Sequence, residues 1–124
     1  MRLLLDTHVL LWWLDSPERL SDIASVAIAN EPAIFVSAVT AWEIAIKRAV
    51  GKLDARFDVI VEIEQEGFQQ LPVTFEHALA AGSLDPHHRD PFDRMLVAQA
   101  RSEDLVLVTA DLQMSKYDVR VLPA

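Results

Sequence analysis

Three short apolar runs that do not alternate with polar residues constrain the fold more than any other feature of this chain. They are RLLL at residues 2–5, IFV at 34–36 and LVLVT at 105–109. A strand with apolar residues on both faces is covered on both sides, which is typical of a parallel sheet. Helical patterns separate these runs, so the sequence predicts an α/β fold with a central parallel sheet of four to five strands.

Caps and chain breakers place the other elements. The predicted helices cover residues 8–14, 21–30, 39–50, 56–66, 75–83 and 92–103. The predicted strands cover 2–5, 34–36, 68–73, 105–109 and 119–122, and 111–117 form a turn or short helix. Thr7 is the predicted N-cap of the first helix, and Ser37 or Thr40 caps the third. Pro72 predicts that 68–73 is short or lies at a sheet edge.

The composition narrows the classes of site. The 124 residues, 52% of them hydrophobic, predict one folded domain that spans residues 1–124. The chain has no cysteine, which excludes disulfides and thiolate metal ligands. A metal would be bound by oxygen or imidazole ligands, and these suit magnesium or manganese. Asp6 and His8 interrupt the apolar N-terminus and no cleavage site follows, so we expect a cytoplasmic protein.

The net charge of −8 argues against a broad basic surface for nucleic acid. It does not exclude an enzyme that acts on nucleic acid, because bound divalent cations would reverse the local field.

Four acidic residues occupy comparable positions in this map. Asp6 follows the first strand, and Glu43 lies in the first turns of the helix after the second. Asp93 lies in the first turn of the helix before LVLVT, and Asp111 follows that strand by two residues. The carboxyl ends of parallel strands share one edge, where ligands bind. We therefore expect the acids to converge there, provided that the helix of Asp93 points its N-terminus at the same edge.

Four carboxylates in a small volume repel one another and raise one another's pKa values. Mg²⁺ or Mn²⁺ would neutralise them, and a metal-bound hydroxide could then attack a phosphorus atom. The predicted chemistry is phosphodiester hydrolysis. Each acid also has a structural alternative: Asp6 as a helix cap, Glu43 and Asp93 as acids favoured by a helix dipole, and Asp111 as a turn residue.

Four segments in this order resemble the PIN-domain family, and most closely the VapC-type toxins of type II toxin–antitoxin pairs. They are LLLDTHVLLWWL, VSAVTAWEIAIK, HHRDPFDRMLVAQA and LVLVTAD, and the resemblance covers essentially the whole chain. It assigns the family's four metal-binding and catalytic acids to Asp6, Glu43, Asp93 and Asp111. Asp118 lies close enough in sequence to compete with Asp111 for the fourth position.

The resemblance implies a PIN-like three-layer α/β/α fold and a Mg²⁺- or Mn²⁺-dependent endoribonuclease that cleaves RNA. Proteins of this type commonly form homodimers, and an antitoxin inserts a C-terminal segment into the active-site groove. Two alternatives remain: a PIN-like RNA-processing nuclease outside a toxin pair, and a binding module whose acids no longer hold metal. A phosphatase of the haloacid-dehalogenase kind would need aspartate at position 8, where this chain has His8.

Other polar residues near the acids have two interpretations each. Thr7 and Thr109 could bind a metal-bound water or a phosphate, or make cap and strand-end hydrogen bonds. Asp90 precedes a proline, which predicts a helix cap, and its carboxylate could reach the outer shell of a metal. Arg94 could steady the carboxylates, bind a phosphate or form a surface ion pair. The basic patch at residues 87–89 could contact RNA or be a solvated loop.

Two further groups of side chains could form interaction surfaces. Trp12 and Trp13 are adjacent in a helix and cannot face the same side. At least one is predicted near the surface, where it would suit a dimer or antitoxin contact, unless both sides of the helix are buried. Lys47, Arg48 and Lys52 could border an RNA groove or be the favourable charges of a helix C-terminus.

Overall fold

The structure is a computed structural model that describes residues 1–54, 56–87 and 89–124. Its strands are β1 (Arg2–Leu5), β2 (Ala33–Ser37), β3 (Gln69–Leu71), β4 (Val106–Thr109) and β5 (Val121–Pro123). Its α-helices are α1 (Thr7–Asp15), α2 (Asp22–Asn30), α3 (Ala38–Ala49), α4 (Val59–Glu66), α5 (Phe75–Gly82) and α6 (Pro91–Ser102). Short 3₁₀ helices cover Pro17–Arg19 and Leu112–Lys116. Over these residues, no helix combines the length and apolar character needed to cross a membrane.

The five strands form one parallel sheet in the order β3-β2-β1-β4-β5. The predicted fold class is confirmed. The strand β1 lies at the centre, and its carboxyl end at Leu5 pairs with Val36 of β2 and Val108 of β4. The chain moves outward from β1 through β2 to β3 and then returns to β4 on the other side. The strand order therefore reverses between β1 and β4.

Apolar side chains of β1 reach both faces of the sheet, as the sequence predicted. Leu3 and Leu5 pack into one buried cluster with residues of α1 and α2, while Leu4 packs into a second with residues of α6. Successive side chains of a strand point to opposite faces, so a run of three leucines requires helices on both sides. The result is a three-layer α/β/α arrangement.

Two predicted helix starts were wrong because other residues provide the caps. Thr7 is already helical, and the N-cap of α1 is Asp6, whose Oδ1 accepts the Val9 N–H at 2.8 Å; this confirms the cap role that the sequence offered as an alternative for Asp6. The helix α4 begins at Val59 and not at position 56, because Asp58 accepts backbone N–H groups of the first turn. For α3, where two caps were open, Ser37 accepts the Val39 N–H at 3.0 Å.

Two predicted strands are also shorter than expected. Phe68 does not join β3, because its N–H donates to Ile63 O and completes the end of α4 after Gly67, whose φ is +76°. The strand β3 lies at a sheet edge, as predicted. Val119 does not join β5, because its N–H donates to Tyr117 O in the preceding turn. The 3₁₀ helix Pro17–Arg19 was not predicted.

Candidate active site

The four acids singled out in the sequence line a single cleft with a volume of about 410 Å³. Asp6 follows β1, Asp111 follows β4 by two residues, Glu43 lies on α3, and Asp93 lies in the first turn of α6. The N-terminus of α6 therefore points at this cleft. The cleft lies at the carboxyl ends of β1 and β4, beside the reversal of strand order, which is where open α/β sheets bind ligands.

Asp6 is buried, with 5% of its surface exposed. Its Oδ1 accepts the Val9 N–H, and its Oδ2 accepts the hydroxyl of Thr109. Burial is the largest cause of a raised pKa for the Asp6 carboxyl, and the negative charge of Glu43 also raises that pKa. The two hydrogen bonds and nearby His8 act in the opposite direction. A bound cation would remove this penalty on the ionised carboxylate.

The hydroxyl of Thr109 connects the first acid to the fourth. It donates to Asp6 and accepts the backbone N–H of Asp111 at 3.0 Å. The Oδ1 of Asp111 accepts the Gln113 N–H at 2.9 Å and so caps the 3₁₀ helix that follows. Asp111 is thus held by its own backbone as well as by its carboxylate, and its cap role does not exclude it from the cleft.

Glu43 is also buried and has a partner on each carboxylate oxygen. The hydroxyl of Thr7 donates to Oε1 at 2.6 Å. The ammonium of Lys47, one turn further along α3, lies 3.0 Å from Oε2. The fixed positions of Thr7 and Lys47 therefore orient Glu43 toward the cleft and partly neutralise its charge.

Asp90 and Asp93 both line the cleft from the start of α6. Asp90 is the N-cap, as predicted, because its Oδ1 accepts the Phe92 N–H at 2.8 Å and the Asp93 N–H at 3.4 Å. Asp93 lies within the first helical turn, with Pro91 at the first helical position. The dipole and amide groups of a helix N-terminus favour negative charge nearby, on a carboxylate or a phosphate.

Arg94 makes contacts that none of its three interpretations from the sequence included. Its guanidinium donates to three backbone carbonyls, of Ala81 at 3.0 Å, Leu84 at 2.9 Å and Asp85 at 3.1 Å. These contacts fasten the loop between α5 and α6. Arg94 is not among the described residues that line the cleft.

Asp118 lies at the opposite ends of the strands from the cleft. It lines a different cavity with Asp104 and Arg120, which precede β4 and β5 and so lie at the amino ends of these strands. Of the two candidates for the fourth acid, Asp111 is the one that lies beside Asp6. In the predicted basic patch, His87 packs against the Tyr117 ring at 5.1 Å, Arg89 is exposed, and His88 lies outside the described residues.

Basic and aromatic side chains line the cleft beside the acids: His8, Trp12, Arg19 and Lys47. From the sequence, Lys47 is a candidate for an RNA groove and Trp12 for a partner contact. Arg19 was not predicted, because it lies in the 3₁₀ helix after α1, outside every predicted element. No signal in the local sequence indicates that this segment folds back to the cleft.

The donor set of the cleft suits a hard divalent cation, since carboxylate and hydroxyl oxygens predominate. Within residues 1–54, 56–87 and 89–124, no three acidic or histidine side chains are already gathered closely enough to enclose one ion. Magnesium commonly binds through one or two carboxylates and keeps several waters. The arrangement therefore fits a hydrated ion held by a few of these oxygens, with room for a phosphate.

The fold and the cleft define a class of protein: small α/β domains that carry an acid-lined site at the carboxyl ends of a parallel sheet. The chain belongs to the PIN-domain family, whose sequence profile, described as "PIN domain", matches residues 3–120.

Individual relatives agree with this assignment. Ribonuclease VapC22 of Mycobacterium tuberculosis (strain ATCC 25618 / H37Rv) is 31% identical over 117 residues, 92% of this chain and 90% of the relative. DNA-bound VapBC from Salmonella typhimurium has a TM-score of 0.69 at 19% identity, over 99% of this chain and 98% of that one. FitAcB from Neisseria gonorrhoeae has a TM-score of 0.68 at 22% identity, over 97% and 96%. The two structures support the fold.

Proposed function

We propose that this protein is a Mg²⁺- or Mn²⁺-dependent endoribonuclease and the toxin of a type II toxin–antitoxin pair. The observation that carries the proposal is the cleft in which Asp6, Glu43, Asp93 and Asp111 lie together at the carboxyl ends of the strands. Without a cation, the ionised forms of these acids are unfavourable, because burial and the charge of Glu43 both raise the pKa of Asp6. A bound divalent cation would offset this cost.

A few of the oxygens of these four acids would hold the hydrated ion, and Asp90, which lines the same cleft, would orient its waters. When bound, the ion would supply an activated water and stabilise charge on the phosphodiester oxygens. The chain's own residues do the positioning. Thr109 holds the carboxylate of Asp6, Thr7 holds that of Glu43, and the N-terminus of α6 provides a favourable field for a phosphate.

The comparisons support the substrate class and the partner. The curated relative is named a ribonuclease, and the similar structures include VapBC and a toxin–antitoxin complex from Klebsiella pneumoniae. We accordingly propose RNA as the substrate and a cognate antitoxin as the inhibitor. The homodimer that the family resemblance implies is part of the same proposal. A PIN-like RNA-processing nuclease outside a toxin pair shares the same cleft and differs only in its partner.

Replacement of Asp93 tests the assigned site. Asp93→Asn keeps the size of the side chain and removes a charge from the cleft, so we expect RNA cleavage with Mg²⁺ or Mn²⁺ to fall on the order of 100-fold. Asp118→Asn is the matched control, because it removes the same charge at the opposite ends of the strands. Circular dichroism would show that both variants are folded. Full activity of Asp93→Asn, or no metal-dependent cleavage by the unmodified protein, would refute the assignment.

Expression in bacteria separates the toxin from a processing nuclease. The unmodified protein should arrest growth, Asp93→Asn should not, and co-expression of an antitoxin encoded beside it should restore growth. Normal growth during expression of a protein that cleaves RNA in vitro would remove the toxin assignment and leave the nuclease.

A further inference from the structure

A second cavity, of about 520 Å³, continues from the acid-lined cleft. The two cavities share His8, Trp12, Arg19 and Lys47 along their common border. From that border, the second cavity extends between the end of α1 and the segment that joins α3 to α4. We call this second cavity the basic groove.

The charge of the basic groove is opposite to that of the whole chain. Four cationic side chains line it against two carboxylates, a formal surplus of two positive charges in a protein whose net charge is −8; the cations are Arg19, Lys47, Lys52 and Arg56. Lys47 is paired with Glu43, and Arg56 with Asp54. Arg19 and Lys52 have no carboxylate partner within the described part of the chain. Their charges are available to an anion.

Arg19 is held at the junction between the cleft and the groove. Its guanidinium carbon lies 4.8 Å from the centre of the half-buried Trp12 ring. Its backbone N–H donates to Ser16 O at 3.0 Å in the 3₁₀ helix. A guanidinium stacked on an aromatic face keeps its N–H edges for planar hydrogen bonding, which suits a phosphate. Arg19 therefore presents its guanidinium at the border of the cleft, where an anion can reach it.

The far wall of the groove is also fixed in place. Arg48 reaches from α3 to donate to Phe57 O at 2.5 Å, and its guanidinium carbon lies 5.0 Å from the Phe57 ring centre. The Lys52 N–H donates to Lys47 O at 2.8 Å. These contacts hold both ends of the segment between α3 and α4 against α3, so the groove is already formed.

We propose that the basic groove binds the backbone of a single-stranded RNA on one side of the scissile phosphate, with Arg19 on the phosphate nearest the cleft and Lys52 further along the strand. This proposal rests on the proposed nuclease function. The carboxylates of the cleft repel a polyanion, so cations immediately beside them would retain the strand. A cationic groove with an aromatic residue is the usual surface for single-stranded nucleic acid. An acidic protein segment is the rival occupant.

The test is RNA binding without cleavage. The full-length protein is titrated in EDTA against a fluorescently labelled single-stranded oligoribonucleotide of mixed sequence, and anisotropy is measured at several salt concentrations. Arg19→Ala and Lys52→Ala should each raise Kd severalfold and lower the slope of log Kd against log salt by about 0.7. Arg19→Lys should keep the slope. Arg101→Ala, an exposed arginine at the end of α6, is the charge-matched control and should match the unmodified protein.

The outcomes separate this proposal from the nuclease assignment. Unchanged RNA binding by Arg19→Ala and Lys52→Ala, in a protein that cleaves RNA, overturns the groove and leaves the nuclease. An unmodified protein that neither binds nor cleaves RNA overturns the nuclease. Unchanged RNA binding with weakened binding of the antitoxin by the same variants shows that the groove takes a protein segment and also overturns the proposal.

Discussion

Thr109 illustrates how one side chain organises the candidate site. Its hydroxyl satisfies the buried Asp6 carboxylate and receives the Asp111 N–H, so it fixes two acids that are 105 positions apart in the chain. The sequence identified Thr109 as a strand-end residue near the acids. Which residues the Thr109 hydroxyl contacts depends on the pairing of β1 with β4, and the local sequence does not determine that pairing.

We expect Thr109→Val to destabilise the protein by about 1–3 kcal/mol, because a near-isosteric change leaves the Oδ2 of the buried Asp6 carboxylate without its hydrogen-bond donor. RNA cleavage should fall as well, since Asp6 and Asp111 lose their common anchor. Thr109→Ser restores a hydroxyl and should recover most of both properties. Urea unfolding and a cleavage assay measure the two effects. Equal stability of Thr109→Val and the unmodified protein would show that this hydroxyl is not needed.

The raised pKa of Asp6 predicts the sign of a pH effect on stability in EDTA. When the folded-state pKa lies above the unfolded one, the folded protein binds more protons, so stability is lost as the pH rises through the folded pKa. Asp6→Asn cannot lose that proton. The Tm of Asp6→Asn minus that of the unmodified protein should therefore become more positive from below pH 3.8, the ordinary value, toward neutrality. A difference that is constant or falls with pH would contradict the pKa shift.

At the scale of elements, the start of α6 combines a cap with a candidate metal ligand. Asp90 accepts two backbone N–H groups, and Asp93 lies within the first turn of the helix. The Asp-Pro pair predicted the cap at Asp90 correctly, because the residue before a proline avoids helical geometry. At α4, where no proline follows the capping Asp58, the predicted start was three residues early.

Substitutions at the start of α6 should separate stability from activity. Asp90→Ala should lower the free energy of unfolding by about 1 kcal/mol, while Asp90→Asn keeps a good cap and should cost little. Asp93→Asn should leave stability nearly unchanged and lower metal-dependent cleavage on the order of 100-fold. Chemical unfolding and RNA cleavage are measured on all three. Equal losses of cleavage in Asp90→Asn and Asp93→Asn would show that Asp90 also binds the metal directly.

At the scale of the whole molecule, the strand order concentrates negative charge at one edge of an already acidic protein. We expect Mg²⁺ to raise the Tm, because a ligand that binds only the folded state stabilises it by about 2.7 kcal/mol at 100 times its Kd. Sodium chloride at matched ionic strength controls for screening. The increase should disappear in Asp93→Asn and persist in Asp118→Asn. An equal increase with sodium chloride would indicate screening and no specific site.

The sequence by itself determined the class of fold and the position of each acid relative to its nearest strand or helix. These properties depend on the period of apolar residues and on caps, and both are set by neighbours a few positions away. Only the tertiary structure decided that Asp111 and not Asp118 joins Asp6, that Arg94 binds loop carbonyls, and that Arg19 borders the cleft. Those outcomes follow from the order β3-β2-β1-β4-β5 and from how the helices bury the two faces of the sheet. Burial is summed over residues far apart in the chain, so no single segment carries that information.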